Sequence, residues 1–303
     1  MTKNPNLEAD TGLTTPAADT EISTSVLQSL LQSQFPEYAK LELKFVASGW
    51  DNCMIRIGNE LCARMPRRKV ANQLILNEQK WLPRLAPILT LDVPSPVHIG
   101  SPNEAYPYNW SIVKWLNGNQ ACDGFVGSDQ SGVLVSFLKS LHLPAPQDAP
   151  TSDCRGIALK ERATMMDERL ARLNANDAEL FGLLNPIWYS AVEAPIDTAP
   201  TWLHGDLHPR NVLVQNGKIT AAIDWGDMCA GDIATDLAAI WFLLNDKNSR
   251  AEAIDIYGVS QATIARAKGW AINMGLILIE TGANDNPLNQ KIGAQIIANV
   301  LNR

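Results

Sequence analysis

The segment from His204 to Asp227, HGDLHPRNVLVQNGKITAAIDWGD, concentrates residue types that can do chemistry. Two β-like runs in it are joined by Asn-Gly at positions 216–217, which is typical of a two-residue hairpin turn. With the residues that flank the turn paired, Asn211 lies opposite Ala222, and Asp224 is its diagonal neighbour on the same face. Such neighbours lie about 7–8 Å apart at the backbone, a separation that suits two oxygen donors on one Mg²⁺ ion. The pattern therefore predicts a magnesium site at Asn211 and Asp224.

Asp206 precedes Asn211 by the D-x-x-x-x-N interval of the kinase catalytic loop. In such loops the aspartate accepts the proton of a hydroxyl and aims that oxygen at a phosphoryl group, while the asparagine and a later aspartate hold metal. Phosphoryl transfer asks a protein mainly for positioning and for neutralisation of charge. We therefore predict that Asp206 is the catalytic residue of a phosphotransferase.

His204 and His208 flank Asp206, and H-x-D-x-H is also compatible with a Zn²⁺ site of a metallohydrolase. The chain has only 4 histidines, and further ligands at suitable spacing are missing. A supporting role of His204 in the loop backbone is the favoured interpretation, and the role of His208 is left open.

Hydrophobic periodicity predicts the elements that must position these residues. An amphipathic helix at 23–34 precedes a β-β-β-α-β-β succession, in which Gly58-Asn59 marks a hairpin and a helix covers 70–85. The β-like runs cover 41–49, 52–58, 60–66, 94–100 and 110–116. The chain beyond 119 is predicted to be mostly helical, with helices at 128–141, 156–174 and 177–192 before the catalytic hairpin.

Charge and composition exclude several classes of function. Residues 1–115 carry 11 basic and 11 acidic residues, so the net charge of −7 comes from 116–303, with 14 basic and 21 acidic residues. This excess disfavours nucleic acid as a partner and favours a cationic small molecule, although it could serve solubility alone. The 5 cysteines form no C-x-x-C pair, and we find no signal peptide or membrane-spanning run, so we expect a cytoplasmic location. Residues 1–20 are expected to be a disordered tail.

The pattern HGDLHP-x-N…IDWGD…GD-x-A-x-D-L-A closely resembles the aminoglycoside phosphotransferase family, which has a protein-kinase-like fold. The resemblance extends through GWDN, YPYNWSIVKWLNG and LHLP, and covers most of the chain from about residue 40. It implies an α/β (α+β) fold of two lobes: an antiparallel-sheet lobe at 21–115 that binds nucleotide, and a mainly helical lobe at 116–303 with the catalytic loop. It also implies ATP or GTP as phosphoryl donor and Mg²⁺ as cofactor. The charge distribution and the lack of a long apolar run predict no nucleic-acid or membrane partner.

The resemblance assigns further roles by position. It implies that Arg64 contacts phosphates and that Glu78 pairs with Arg64, although the two could form an unrelated surface pair. Other implied nucleotide-binding residues are Ser48, Gly49 and Trp50, in the loop Ser48–Asn52 between the first two strands, and Val113, Lys114 and Leu116, in the strand that links the lobes.

Asp232 and Asp236 stand four residues apart at the head of a predicted helix. Asp232 is interpreted chiefly as a helix cap, and the resemblance suggests a buried contact from Asp236 to the catalytic loop. Trp270 is interpreted as a core residue, with lining of a substrate pocket as the alternative.

Two departures from the family pattern bear on function. Arg64 stands where many relatives have lysine, and a planar guanidinium is not equivalent to a point charge. Arg210 replaces a common glycine, and could contact phosphate or solvent. The first acceptor hypothesis is an aminoglycoside-type antibiotic. The alternatives are a macrolide, a small metabolic alcohol as in choline and homoserine kinases, and a nucleotide-binding module with little catalysis.

Overall fold

The computed structural model describes residues 16–284 and 286–302, and by their contacts these residues form two units. The first unit contains the described residues up to Ile88, together with 92–117 and 224–226. The second contains 89–91, 118–223 and the described residues from Asp227 onward. The short segment Asp224–Gly226 therefore packs with the first unit, although the flanking chain belongs to the second.

A five-stranded sheet in the order β1-β2-β3-β5-β4 forms the centre of the first unit, and all its neighbouring strands are antiparallel. The strands are β1 (Leu43–Ser48), β2 (Asn52–Ile57), β3 (Leu61–Pro66), β4 (Pro96–Gly100) and β5 (Trp110–Lys114). Gly58 has a left-handed φ of 57° in the β2–β3 turn, and Ile57 pairs with Leu61 across it. The hairpin predicted from Gly58-Asn59 is thus confirmed, as is the predicted antiparallel sheet.

Two helices complete this unit, α1 (Thr24–Gln34) and α2 (Lys69–Leu85). The Ser23 hydroxyl caps α1 by accepting a hydrogen bond from the Val26 N–H at 3.3 Å. The leucines at 27, 30 and 31 are fully buried in one cluster with β-strand residues that include Ala63 and Met65. Each such leucine contributes about 1.5–3 kcal/mol of burial free energy. Because side chains alternate along a strand, Arg64 lies on the opposite face of β3, where it meets α2.

The predicted disordered tail at 1–20 extends too far. Residues 1–15 lie outside the described residues, but Asp19 is held by three hydrogen bonds. Its carboxylate accepts from the N–H of Lys69 at the start of α2 (2.8 Å) and from the Tyr108 hydroxyl (2.7 Å), and its own N–H donates to the Arg67 carbonyl (3.0 Å). An acidic side chain at a helix N-terminus is favourable, and this tether orders the chain before residue 21.

The second unit is mainly helical and contains two small sheets, in the orders β6-β8-β9 and β10-β7. Its strands are β6 (Asn119–Gln120), β7 (Thr201–Leu203), β8 (Val212–Gln215), β9 (Lys218–Ala222) and β10 (Cys229–Gly231). Its helices are α3 (Ser131–Leu141), α4 (Ala163–Asn176), α5 (Ala178–Glu193), α6 (Ala234–Leu237), α7 (Ala239–Leu243), α8 (Lys247–Tyr257), α9 (Gln261–Asn284) and α10 (Pro287–Val300).

Some predicted boundaries change for local reasons. The helix predicted at 156–174 begins later, because Leu159–Arg162 forms a 3-10 turn before α4. The boundary between α4 and α5 lies at Asp177, whose carboxylate accepts from the Leu180 N–H at 2.9 Å and so caps α5. No helix within residues 16–284 and 286–302 combines the length and apolarity needed to cross a membrane.

Candidate active site

The segment 204–211 forms the loop between β7 and β8, and its course depends on Gly205. This residue has a φ of 84°, in the left-handed region that glycine adopts at no steric cost. A Cβ at this position would lie 2.5 Å from the Asp227 carbonyl oxygen. Both conformation and space therefore require glycine immediately before Asp206.

Asp206 lies at the centre of a polar cluster within the second unit. The Asn211 side-chain amide donates to the Asp206 carboxylate at 3.1 Å and to its main-chain carbonyl at 2.9 Å. His208 Nε2 lies 3.3 Å from the carboxylate, and Arg155 Nη2 lies 3.4 Å from it. Burial alone would raise the pKa of Asp206, but His208, Arg155 and His204 outweigh burial and hold that pKa well below its usual range. The carboxylate is therefore ionised at neutral pH and can accept a hydrogen bond from a substrate hydroxyl.

His204 is fully buried and both its ring nitrogens are used inside the loop. Nδ1 accepts from the N–H of Asp206 at 3.2 Å, and Nε2 lies 3.0 Å from the Ile223 carbonyl oxygen. This is the arrangement of a residue that supports the loop backbone, and it leaves neither nitrogen free for the alternative Zn²⁺ site.

Asp236 fixes the backbone of the same loop through hydrogen bonds. Its two carboxylate oxygens accept from the backbone N–H groups of His204 at 2.7 Å and Gly205 at 2.9 Å. The side chain of Asp236 is fully buried, and His142 Nε2 lies 3.4 Å away. The buried carboxylate satisfies two amide donors that would otherwise be costly to bury, and it fixes the backbone next to Asp206.

Asp232, interpreted from the sequence chiefly as a helix cap, has a different main partner. Its carboxylate does accept from the Ala234 N–H at 3.2 Å. It also forms a two-point ion pair with the buried Arg266, at 2.7 Å from Nε and 3.0 Å from Nη2. Asp232 therefore joins α9 to the turn before α6, and it touches no residue of the loop 204–211 in any of these bonds.

The register predicted for the catalytic hairpin is wrong by one residue. Gln215 pairs with Lys218 as predicted, but a β-bulge at Thr220 puts Val212, not Asn211, opposite Ala222. Asn211 instead accepts a backbone hydrogen bond from the Ile223 N–H at 2.8 Å. The extra residue thus moves Asn211 to the end of the hairpin, opposite the residue that precedes Asp224.

Within the first unit, Arg64 connects two carboxylates. Its Nη2 lies 2.8 Å from Glu78 Oε1 and 2.6 Å from Asp224 Oδ1. The Arg64 side chain is buried, so the alternative of an unrelated surface pair with Glu78 is excluded. Burial would lower the pKa of Arg64, but the charges of Glu78 and Asp224 outweigh it and raise that pKa. Asp224 has a left-handed φ of 62°, and its side chain is 54% exposed.

The loop Ser48–Asn52 joins β1 to β2 as a tight turn. Gly49 N–H donates to the Asn52 carbonyl at 2.9 Å, and the carbonyls of Gly49 and Trp50 accept from Arg67 Nη1 at 2.7 and 3.3 Å. Arg68 adds an ion pair of 2.6 Å to Asp51 in the same loop. Arg67 and Arg68 thus hold this loop in place.

The last group of predicted nucleotide-binding residues lies at the end of β5. Val113 is buried and pairs with Cys62, whereas Lys114 is exposed and pairs with Leu61 where the two strands end. Leu116, just beyond the strand, is half-buried. Val113, Lys114 and Leu116 therefore all lie at the end of the sheet where β3 begins and β5 finishes.

Sequence reasoning missed Arg155, which lies in a loop before α4 and has no motif around it. Its Nη2 contacts Asp206 at 3.4 Å and Asp227 at 3.3 Å. Sequence reasoning also left Arg210 open, and the structure pairs its Nη1 with Asn289 Oδ1 at 2.9 Å. The contact between Arg155 and Asp206 spans 51 positions, so no local pattern could indicate it.

A loop aspartate whose pKa is held low, an asparagine five positions later and a buried Arg-Glu pair on an antiparallel sheet agree with the kinase-type pattern expected from the sequence. A family profile described as the phosphotransferase enzyme family matches residues 42–270. The chain therefore belongs to the phosphotransferase enzyme family. No curated protein matches the chain in sequence.

Several solved structures share the fold. Aminoglycoside 2'-phosphotransferase-IIIa in its GDP complex has a TM-score of 0.67 and 16% identity, over 93% of this chain and 99% of that one. The GDP and kanamycin complex of APH(2")-IIia has a TM-score of 0.69 and 16% identity, over 91% and 99%. Macrolide 2'-phosphotransferase MphH from Brachybacterium faecium has a TM-score of 0.55 and 19% identity, over 90% and 97%. These similarities confirm the predicted kinase-like fold.

Proposed function

We propose that the protein transfers the γ-phosphoryl group of ATP or GTP, with Mg²⁺, to a hydroxyl of a small molecule. The observation that carries this proposal is the bond of 3.1 Å between Asn211 and the Asp206 carboxylate. The bond holds the ionised Asp206 carboxylate, which can accept a proton, beside the Asn211 carboxamide. Kinase-type phosphoryl transfer uses this pairing of an aspartate with an asparagine.

In this proposal Asp206 accepts a hydrogen bond from the acceptor hydroxyl and orients its oxygen toward the phosphoryl group. Because the pKa of Asp206 is low, its main contribution is to orient the hydroxyl rather than to remove its proton early. His204 and Asp236 hold the backbone on which Asp206 is positioned. Asp232 contributes only indirectly, through its ion pair with Arg266.

Asn211 and Asp224 are the proposed ligands of Mg²⁺, which would neutralise charge on the nucleotide phosphates. The donor set fits a hard cation. Asn211 directs its amide nitrogen to Asp206 and uses its Oδ1 in no hydrogen bond with a described residue, and the Asp224 carboxylate is half exposed. Each residue therefore has an oxygen to offer.

The nucleotide is proposed to bind on the first unit. Arg64, steadied by Glu78, is the proposed phosphate contact, and Ser48, Gly49 and Trp50 are proposed to flank the phosphates. Backbone groups at 113–116 are proposed to meet the purine. The GDP, ADP and ATP complexes among the similar structures support nucleotide binding in this fold.

Aminoglycosides are the first acceptor class to test, because kanamycin, gentamicin and streptomycin are bound in similar structures. Macrolides are a second class, supported by similarity to two macrolide 2'-phosphotransferases. A small metabolic alcohol is a third. The alternative to an enzyme is a protein module that binds nucleotide with little catalysis. This alternative is motivated by Arg64, which stands where many relatives have lysine.

The deciding experiment measures consumption of ATP and of GTP with each acceptor class added in turn. We expect consumption that depends on one acceptor and that is abolished in Asp206→Ala. An exposed aspartate, Asp167, offers the matched control Asp167→Ala, which should retain activity. Tight nucleotide binding with no acceptor-dependent turnover in any class would instead support the module.

A further inference from the structure

The loop Ser48–Asn52, which is proposed to flank the nucleotide phosphates, has little packing of its own. It joins β1, an edge strand of the five-stranded sheet, to β2. Ser48, Gly49 and Trp50 are exposed to solvent. Segments with few buried apolar contacts open easily, so the conformation of this loop depends on the hydrogen bonds that reach it from the rest of the first unit.

Those hydrogen bonds come from the two-residue link Arg67–Arg68 between β3 and α2. The Arg67 guanidinium donates to the carbonyls of Gly49 and Trp50, at 2.7 and 3.3 Å. The backbone N–H of Arg67 donates to the Asp51 carbonyl at 2.7 Å, and Arg68 Nη2 lies 2.6 Å from the Asp51 carboxylate. The link therefore contacts the loop at three successive residues, and the loop can be no better ordered than the link.

The link is fixed in turn by Asp19, because the start of α2 has no cap of its own. Arg68 stands at the N-cap position, where its donor-only side chain makes no capping bond, and the first turn contains no acidic residue. The Asp19 carboxylate accepts from the Lys69 N–H at 2.8 Å and from the Tyr108 hydroxyl at 2.7 Å. An anion at a helix N-terminus is favourable. The N–H of Asp19 also donates to the Arg67 carbonyl at 3.0 Å.

We propose that Asp19 is a positioning residue for the nucleotide phosphates. It holds the link Arg67–Arg68, and the link holds the loop Ser48–Asn52 in the conformation that meets the phosphates. This inference rests on the proposed function, because it takes the loop to be part of the nucleotide site. Asp19 acts through the link, so its effect falls on affinity for the phosphates and not on transfer to the acceptor.

Titrations of ATP and of adenosine into wild type and Asp19→Ala test this role. We expect the Kd for ATP to rise about fivefold in Asp19→Ala, since losing a helix cap typically costs ~1 kcal/mol. The effect is modest because Asp19 is exposed to solvent. The Kd for adenosine, which lacks phosphates, should stay unchanged. In turnover assays the KM for ATP should rise, whereas kcat at saturating ATP should equal that of the wild type.

Two further variants separate positioning from general damage to the fold. Glu21→Ala removes an exposed carboxylate two positions further along the chain, and both affinities should remain those of the wild type. Asp19→Asn keeps an oxygen for the Lys69 N–H, and should recover part of the affinity for ATP. Equal losses of ATP and adenosine binding in Asp19→Ala would overturn the inference, because a loosened fold would weaken both ligands.

Hydrogen exchange tests the same chain of contacts without nucleotide. The Gly49 N–H donates to the Asn52 carbonyl at 2.9 Å, and peptides that cover this loop should exchange faster in Asp19→Ala than in Glu21→Ala. Combining Asp19→Ala with Arg67→Met should weaken ATP binding by less than the product of the two single effects, because both act through one link. Unchanged exchange of the loop, or fully independent effects on ATP binding, would overturn the inference.

The results also distinguish this inference from the proposed function. If Asp19→Ala binds ATP as tightly as a wild type that binds it well, the inference fails and phosphoryl transfer stands. ATP binding that depends on Asp19, without turnover of any acceptor, would support the inference and reject only the proposed transfer. A wild type that binds neither ATP nor GTP would reject both.

Discussion

The Asn211 side chain binds Asp206 at two points, through the carboxylate at 3.1 Å and the main-chain carbonyl at 2.9 Å. Both bonds come from one amide nitrogen, so they set the orientation of Asn211 and of Asp206 together. The carboxamide oxygen of Asn211 forms no hydrogen bond with a described residue, and it is the atom proposed to bind Mg²⁺. A single interaction thus connects the residue proposed to aim the hydroxyl with a residue proposed to hold metal.

Asp206→Asn should lower kcat by about 10³-fold, because a neutral amide cannot accept the hydroxyl proton at the transition state. Nucleotide affinity should barely change, since the role of Asp206 is at the acceptor. Stopped-time assays with the best acceptor and titration of ATP measure the two quantities. An equal loss of nucleotide affinity would contradict the assigned role.

Asp224→Ala should weaken binding of Mg²⁺–ATP and leave binding of metal-free ATP nearly unchanged, because the carboxylate is proposed to act through the ion. Calorimetric titration with Mg²⁺ and with a chelator gives both values. Asp92→Ala, at an exposed position of the chain, is the control and should bind both forms as the wild type does. Identical affinities for Mg²⁺–ATP in Asp224→Ala and wild type would remove Asp224 from the metal site.

Gly205→Ala should reduce the free energy of unfolding by about 2 kcal/mol or more, since it adds left-handed strain and a clash with the Asp227 carbonyl. Gly182→Ala is a contrasting control. Gly182 lies within α5 with nothing within 4 Å of an added Cβ, so alanine should stabilise the protein by about 0.5–1 kcal/mol. Urea unfolding followed by circular dichroism measures both changes, and equal effects would show that the Gly205 conformation is not required.

Asp197→Asn should destabilise the protein in a manner that depends on pH. Hydrogen bonds from Ser260, and then from Thr263 and Arg266, lower the pKa of Asp197 to about 2. Because this folded-state pKa lies below the unfolded value of about 3.9, the stabilisation is complete above about pH 4 and is lost as the pH falls toward 2.

The expected loss in Asp197→Asn is about 1 kcal/mol at pH 6, a modest figure because the side chain is 32% exposed and solvent screens its charge. The difference from wild type should shrink steadily below pH 4 in urea unfolding experiments. A difference that is constant from pH 6 to pH 2.5 would mean that the ionised carboxylate is not the source of the stability.

Local signals in the sequence predicted much of the fold and part of the candidate site. The Asn-Gly turn at 216–217, the Gly58-Asn59 hairpin and the amphipathic spacing of α1 each act over a few residues, and the structure contains all three elements. The interval between Asp206 and Asn211 also spans a single loop. These features could be predicted because backbone conformation and side-chain periodicity are set by near neighbours.

The register at Asn211 could not be predicted, because nothing in a regular alternation signals the bulge at Thr220. A single extra residue in one strand shifts every pairing beyond it. The second partner of Asp232 was missed for a related reason. Arg266 lies 34 positions away, and helix-capping preference at Asp232 is a local property that says nothing about α9.

The sequence by itself determined which residues are candidates to aim a hydroxyl and to bind magnesium, since residue type and short spacing carry that information. Tertiary structure alone decided that Arg155 reaches Asp206 and Asp227, and that Trp270 lines a small cavity beside Asp206. Those contacts join segments far apart in the chain. They depend on how α7, α9 and the loop before α4 pack together, and packing is a property of the whole folded unit rather than of any one stretch of sequence.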